Sequence, residues 1–190
     1  MIDNTSQNII FQEDKPAIWV TCLAAYNNGN LHGRWIDATQ GIEKIREEIQ
    51  DILKTSPAPF AEDWAIHDYQ NFFGYGVDEY HDIEQLSDVA EMIWNSRMES
   101  SQKPMVVTEL IYDFGIEGAE EMLSENFIGC FASREDFIYE YVENTGILSD
   151  VNETIKQYFD YESFLSDMEN NGDIFMIEAR WDEIYVFYNR

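Results

Sequence analysis

The apolar positions of this chain change period as it runs. Ile18 to Ala25, IWVTCLAA, is a continuous apolar run of strand length. Asn27-Asn28-Gly29-Asn30 has the composition of a turn, and Leu31 to Ile36 reads as the returning strand. From Thr39 to Lys54 the spacing becomes helical, with Ile42, Ile45, Ile49, Ile52 and Leu53 on one face. Pro57 and Pro59 end that stretch, and Trp64-Ala65-Ile66 reads as a further strand of the same sheet. Residues 82–100 carry the clearest helical pattern. Leu86, Val89, Ala90, Ile93 and Trp94 form its apolar stripe, and Glu84, Asp88 and Glu91 lie at i, i+4, i+7 on another face.

The second half repeats the alternation on shorter elements. An apolar helix after Pro104 is expected to end near Gly115, with a short acidic helix over Glu117 to Glu125 and a strand over Phe127 to Phe131. Ser133 stands where a helix N-cap belongs, with Asp136 three residues on as the reciprocal acid. Phe137, Ile138, Tyr141 and Val142 mark the buried face of that helix, Asp136, Glu140 and Glu143 its outer face, and Gly146 its end. Two short helices, 151–158 and 160–169, precede two alternating strands, 173–179 and 183–188. The pattern predicts an α+β fold, with small antiparallel sheets and short helices at the two ends and a mainly helical centre. Its expected divisions are a flexible tail at 1–15, an α+β unit at 16–60, a mainly helical unit at 61–103 and an acidic α+β unit at 104–190. No internal repeat or low-complexity stretch interrupts it.

Charge changes this picture most. The chain has 38 Asp and Glu against 11 Lys and Arg, a formal net charge of -27 over 190 residues. Acidic disordered tails lack apolar residues, whereas this chain is 45% hydrophobic and 15% aromatic and can build a core. Nucleic acid and anionic lipid are therefore poor partners, and basic surfaces, including the DNA-binding clefts of other proteins, are good ones. The charge is also uneven: residues 104–173 hold 17 acids and only Arg134 and Lys156, net -15. A signal peptide is not expected from MIDNTSQNIIFQEDK, and no apolar run reaches the ~18 residues of a membrane span, so a cytoplasmic location is expected. Cys22 and Cys130, far apart and without metal spacing, read as reduced core thiols.

Candidate chemistry is sparse. DMENNGDIFMIE at 167–178 fits a calcium loop, with Asp167, Glu169, Asn171, Gly172 and Glu178 at positions 1, 3, 5, 6 and 12. Phe175 at the ninth position cannot ligate, and the following residues alternate like strands where a calcium-binding hand needs a helix. A turn between helix and strand is the preferred reading, with a calcium-binding module as the alternative. His32, His67 and His81 are not spaced as zinc ligands, and no nucleophile motif is present, so no catalytic residues, metal site or cofactor are expected. An acidic hydrolase remains open, because carboxylate pairs are too common here to select one.

The acids on helical faces raise a sharper possibility. Like charges at i, i+4 destabilise a helix by ~0.2–0.5 kcal/mol per pair, and this chain accepts several. A solvated face on an acidic protein, or a salt-adapted composition, would explain them without a partner. Imitation of DNA also would: 27 net charges at duplex density correspond to ~46 Å of axis, or ~14 base pairs.

Three separated stretches carry a family resemblance: WVTCLAAYNNGNLHGRWIDA at 19–38, EDWAIHDYQNF at 62–72 and ENFIGCFASREDFIYEYVENTG at 125–146. The most specific is YFDYESFLSDMENNGDIF at 158–175. Along nearly all of 16–188 the chain resembles the ArdA antirestriction proteins. The resemblance implies an elongated chain of three small units that forms curved homodimers imitating bent B-form DNA. It implies a noncatalytic protein of mobile elements that occupies the DNA-binding groove of type I restriction–modification enzymes at their methyltransferase core. The acids expected to replace phosphates are Glu84, Asp88, Glu91, Glu117, Glu120, Glu121, Glu125, Asp136, Glu140, Glu143, Asp160, Glu162, Asp167 and Glu169.

Overall fold

The computed structural model describes residues 15–96, 103–180 and 182–189. All of the expected tail but Lys15 lies outside them, as do the last four positions of the helix expected over 82–100. Contacts divide the chain into two units, Met1–Pro104 and Met105–Arg190.

In the first unit β1 (Ala17–Cys22) is the middle strand of an antiparallel sheet, flanked by β2 (Gly33–Asp37) and β3 (Trp64–Gln70). Ala17, Ile18, Val20, Thr21 and Cys22 are all at most 1% exposed, which explains the unbroken apolar run: both faces of this strand are covered. The strand stops at Cys22, earlier than the run implied, and Leu23–Asn27 forms α1. Apolarity alone cannot separate a buried strand from a buried helical turn. Here the Leu23 amide leaves the ladder to donate to the Asp63 carbonyl at 3.0 Å.

Helix α2 (Ile42–Lys54) buries Ile45, Ile49, Ile52 and Leu53 and packs on β1 and β2. Helix α3 (Ile83–Ser96) packs on α2 and buries Leu86, Val89, Ala90 and Ile93. Ser87 Oγ donates to the Ala38 carbonyl at 3.3 Å, tying α3 to the end of β2. Trp94, expected in the apolar stripe, is only half-buried, and the Lys15 ammonium stands 5.5 Å from its ring centroid. The stretches read from the sequence as 16–60 and 61–103 share one sheet, because β3 pairs along β1 from Ala17↔Gln70 to Cys22↔Trp64.

Gly33 is fixed by space rather than by torsion. A Cβ there would stand 2.3 Å from the Val20 carbonyl oxygen on the adjacent strand. Gly33→Ala is expected to force β2 away from β1 and cost ~1–3 kcal/mol, read as a lower urea midpoint.

Helix α4 (Lys103–Glu121) contains Gly115 at φ 74°, ψ 178°, a conformation open essentially to glycine alone. The break separates the apolar and acidic helices expected on either side of Gly115, with no loop between them. A π-helical turn, Met122–Asn126, then leads into β4 (Phe127–Phe131).

In the second unit α5 (Arg134–Thr145), α6 (Glu153–Lys156) and α7 (Tyr161–Asn170) precede β5 (Ile174–Arg180) and β6 (Glu183–Tyr188). The sheet is antiparallel in the order β4-β6-β5. Ser133 caps α5 as its spacing requires: Oγ accepts from the Asp136 amide at 3.0 Å and donates to the Asp136 carboxylate at 2.8 Å. Gly146 ends α5 in the left-handed region, φ 67°. Helices α5 and α7 pack together and reach β4 and β5, giving a core of Phe137, Ile138, Val142, Leu165, Met168, Ile174, Ile184 and Val186. The fold is thus α+β with two small antiparallel three-stranded sheets, as the pattern predicted.

One expectation is corrected. Cys22 is a buried thiol, but Cys130 is exposed, because β4 is an edge strand. Neither is in a disulfide. Among the described residues no helix is long and apolar enough to cross a membrane.

Candidate functional site

The fourteen expected acids lie on five elements. Glu84, Asp88 and Glu91 are on α3, in the first unit. Glu117, Glu120 and Glu121 follow the Gly115 break in α4, and Glu125 is in the π-helical turn. Asp136, Glu140 and Glu143 project from α5 opposite Phe137, Ile138 and Val142. Asp160 caps α7, and Glu162, Asp167 and Glu169 lie along it around buried Leu165 and Met168. Burying the apolar stripe of each helix leaves the carboxylates no place but solvent. Thirteen of them are exposed, and Glu169 is half-buried.

Two of the fourteen have basic partners among the described residues. Glu169 receives the Arg134 guanidinium, which joins α7 to the start of α5. That hydrogen bond holds Arg134 above its ordinary pKa against the opposing effect of burial. Glu84 meets Arg46 of α2 at 3.3 Å. The only other base between 104 and 173, Lys156, is 2.7 Å from Glu153. Most of the negative charge of the second unit thus has no cation within it, since its 20 acids face four bases.

Asp136 and Asp160 have local duties as well. Asp136 completes the cap with Ser133. Asp160 accepts from the Ser163 amide at 2.9 Å and from Ser163 Oγ at 2.8 Å. The backbone bond, then the hydroxyl bond, hold its carboxyl below the ordinary value of 3.8. A folded-state pKa below the unfolded one stabilises above the unfolded pKa and is lost as pH falls through the folded one. Asp160→Asn keeps an acceptor but no titrating group. Its urea midpoint relative to wild type is therefore expected to rise between pH 5 and pH 3.

Glu109 and Asp113, outside the expected set, are also exposed on α4, one helical turn apart and before the Gly115 break. Glu135 is exposed in the first turn of α5.

The calcium-loop match resolves into helix, turn and strand. The Asn171 amide donates to the Asp167 carbonyl at 2.9 Å, Gly172 takes φ 74°, and β5 begins at Ile174 and pairs with Tyr188. Glu178, the required twelfth ligand, lies on β5, so the helix that would bring it back to the loop does not exist. Among the described residues no cluster of three or more His, Cys, Asp or Glu is arranged to hold a metal ion. The histidines have structural surroundings: His32 Nε2 is 2.8 Å from the Ile52 carbonyl, and the His67 ring packs edge-on to Tyr26 at 4.6 Å.

What this arrangement can do chemically is present carboxylates at fixed positions to a cationic surface. Comparison with curated proteins finds no match. The family model described as antirestriction protein (ArdA) matches residues 18–183, nearly the whole chain.

Proposed function

We propose that this chain, which belongs to the ArdA family of antirestriction proteins, acts as a noncatalytic mimic of DNA. Antirestriction is the function the family implies, and the target is the DNA-binding groove of a type I restriction–modification enzyme, at its methyltransferase core. The observation that carries this reading is the set of thirteen exposed carboxylates on helices whose opposite faces are locked in a core. Carboxylates fixed in this way displace counterions from a basic groove as phosphates do, with no turnover and no cofactor. The protein works in the cytoplasm, where incoming DNA meets the enzyme.

It acts as a homodimer. Supporting this, Ile147, Ile155 and Tyr158 are large apolar side chains left exposed in the second unit, which a second copy would cover. Equilibrium sedimentation of the full chain checks the dimer directly.

Displacement of a labelled target duplex from a purified type I methyltransferase tests the main reading. The expected result is stoichiometric displacement that weakens steadily between about 50 and 200 mM salt. Displacement absent at every salt concentration would overturn it.

A further inference from the structure

Helices α5 and α7 enclose a groove of about 510 Å³ in the second unit. Its floor is apolar: Ile138 and Leu165 are 2% and 4% exposed. Its wall is aromatic, with the Tyr139 and Tyr161 rings 4.3 Å apart at an interplanar angle of 44°. Phe159 packs edge-on against Tyr161 at 4.8 Å and fixes that ring in place. Its rim is acidic, because Glu135 and Glu162 line it and are both exposed. The one base in the lining, Arg134, is held by Glu169 and lies 3.6 Å from Met176 Sδ, so its charge is already matched.

We propose that this groove is a receptor for an arginine side chain of the bound partner, resting on the DNA-mimic reading above. The chemistry of the wall selects the occupant. The three-carbon stem of an arginine fits along Ile138 and Leu165, as long cationic side chains lie on apolar surface while keeping their heads polar. The planar guanidinium stacks on Tyr139 and reaches Glu135 or Glu162 with its fork of N–H donors. A lysine ammonium is compact and more strongly hydrated, and gains less from the ring faces. A phosphate backbone offers charge but no such slot. This surface would therefore recognise a particular arginine in a basic cleft, in addition to the overall charge.

The test uses the full chain with two probes, hexa-arginine and hexa-lysine peptides, titrated calorimetrically at matched ionic strength. Wild type is expected to bind hexa-arginine about fivefold more tightly than hexa-lysine. Tyr139→Ser changes no charge and removes an exposed ring, so it should abolish that preference while leaving hexa-lysine affinity within about twofold. Circular dichroism establishes that the variant is folded, and Tyr139→Phe should retain the preference because the ring face is kept. Equal binding of the two peptides by wild type would overturn the proposal. So would a Tyr139→Ser variant that is folded and still prefers arginine. So would a variant that dissociates a dimer while its peptide binding is unchanged, which would assign the groove to a second copy. The two readings fail separately. Arginine preference without displacement of DNA from a type I methyltransferase would keep the groove and remove the mimic, and displacement without preference would do the reverse.

Discussion

Reversing Asp136, Glu140 and Glu143 to lysine together is expected to weaken binding to a type I methyltransferase by about 10²- to 10³-fold near 0.1 M salt. The three carboxylates share the exposed face of α5, one to two helical turns apart. If each occupies a phosphate position, losing three contacts removes three counterion-release contributions of ~0.9 logarithmic unit each at that salt. The salt slope should fall by about 2.7 for the same reason. A single neutralisation should cost less than about tenfold, a small share of an attraction summed over many charges. Asp136 also completes the α5 cap with Ser133, so its reversal weakens the start of the helix as well. Reversing Glu140 and Glu143 alone leaves the cap intact and should still cost about 10- to 10²-fold. Unchanged affinity in both folded variants would place the α5 face off the contact surface.

Phe137→Ala should have the largest effect on stability. Phe137 is fully buried in the second core, 5.2 Å from the Phe131 ring and 5.5 Å from that of Tyr141. Truncating a buried phenylalanine costs about 3–5 kcal/mol, from lost transfer energy and from the cavity left behind. Native proteins have only about 5–15 kcal/mol to lose. The second unit should therefore unfold at much lower urea, and inhibition should disappear with it although no charge has changed. An unfolding midpoint close to wild type would mean that neighbouring side chains collapse into the space. The two experiments separate what the carboxylates do from what the core does: one weakens binding in a folded protein, and the other removes binding only where the weakened fold is lost.

Much of the fold was legible because a helix that must bury one stripe advertises it. The isoleucines of α2 gave that helix to within a few residues, and the Leu86–Ile93 stripe gave the start of α3 to within one. The ends of α5 were legible because Ser133 and Gly146 answer local needs of the backbone, an orphan amide and a left-handed residue. The end of the strand in IWVTCLAA is not legible, because strand and helix are equally apolar when buried on all sides. The exposure of Cys130 is not legible either, because composition cannot say which strand is an edge. Of the expected acids, Glu84 and Glu169 have pairings that the sequence does not show, since Arg46 and Arg134 lie 38 and 35 residues away.

The sequence by itself determined the family, the sign and excess of the charge, the helical rows of carboxylates and the α+β class, because these follow from composition, spacing and local capping. Only the tertiary structure decided that β1 is the middle strand between β2 and β3, that Arg134 neutralises Glu169, and that α5 and α7 face each other across a groove walled by Tyr139 and Tyr161. Those depend on which residues distant in sequence come together, and that is set by how apolar faces pack, which no local spacing encodes.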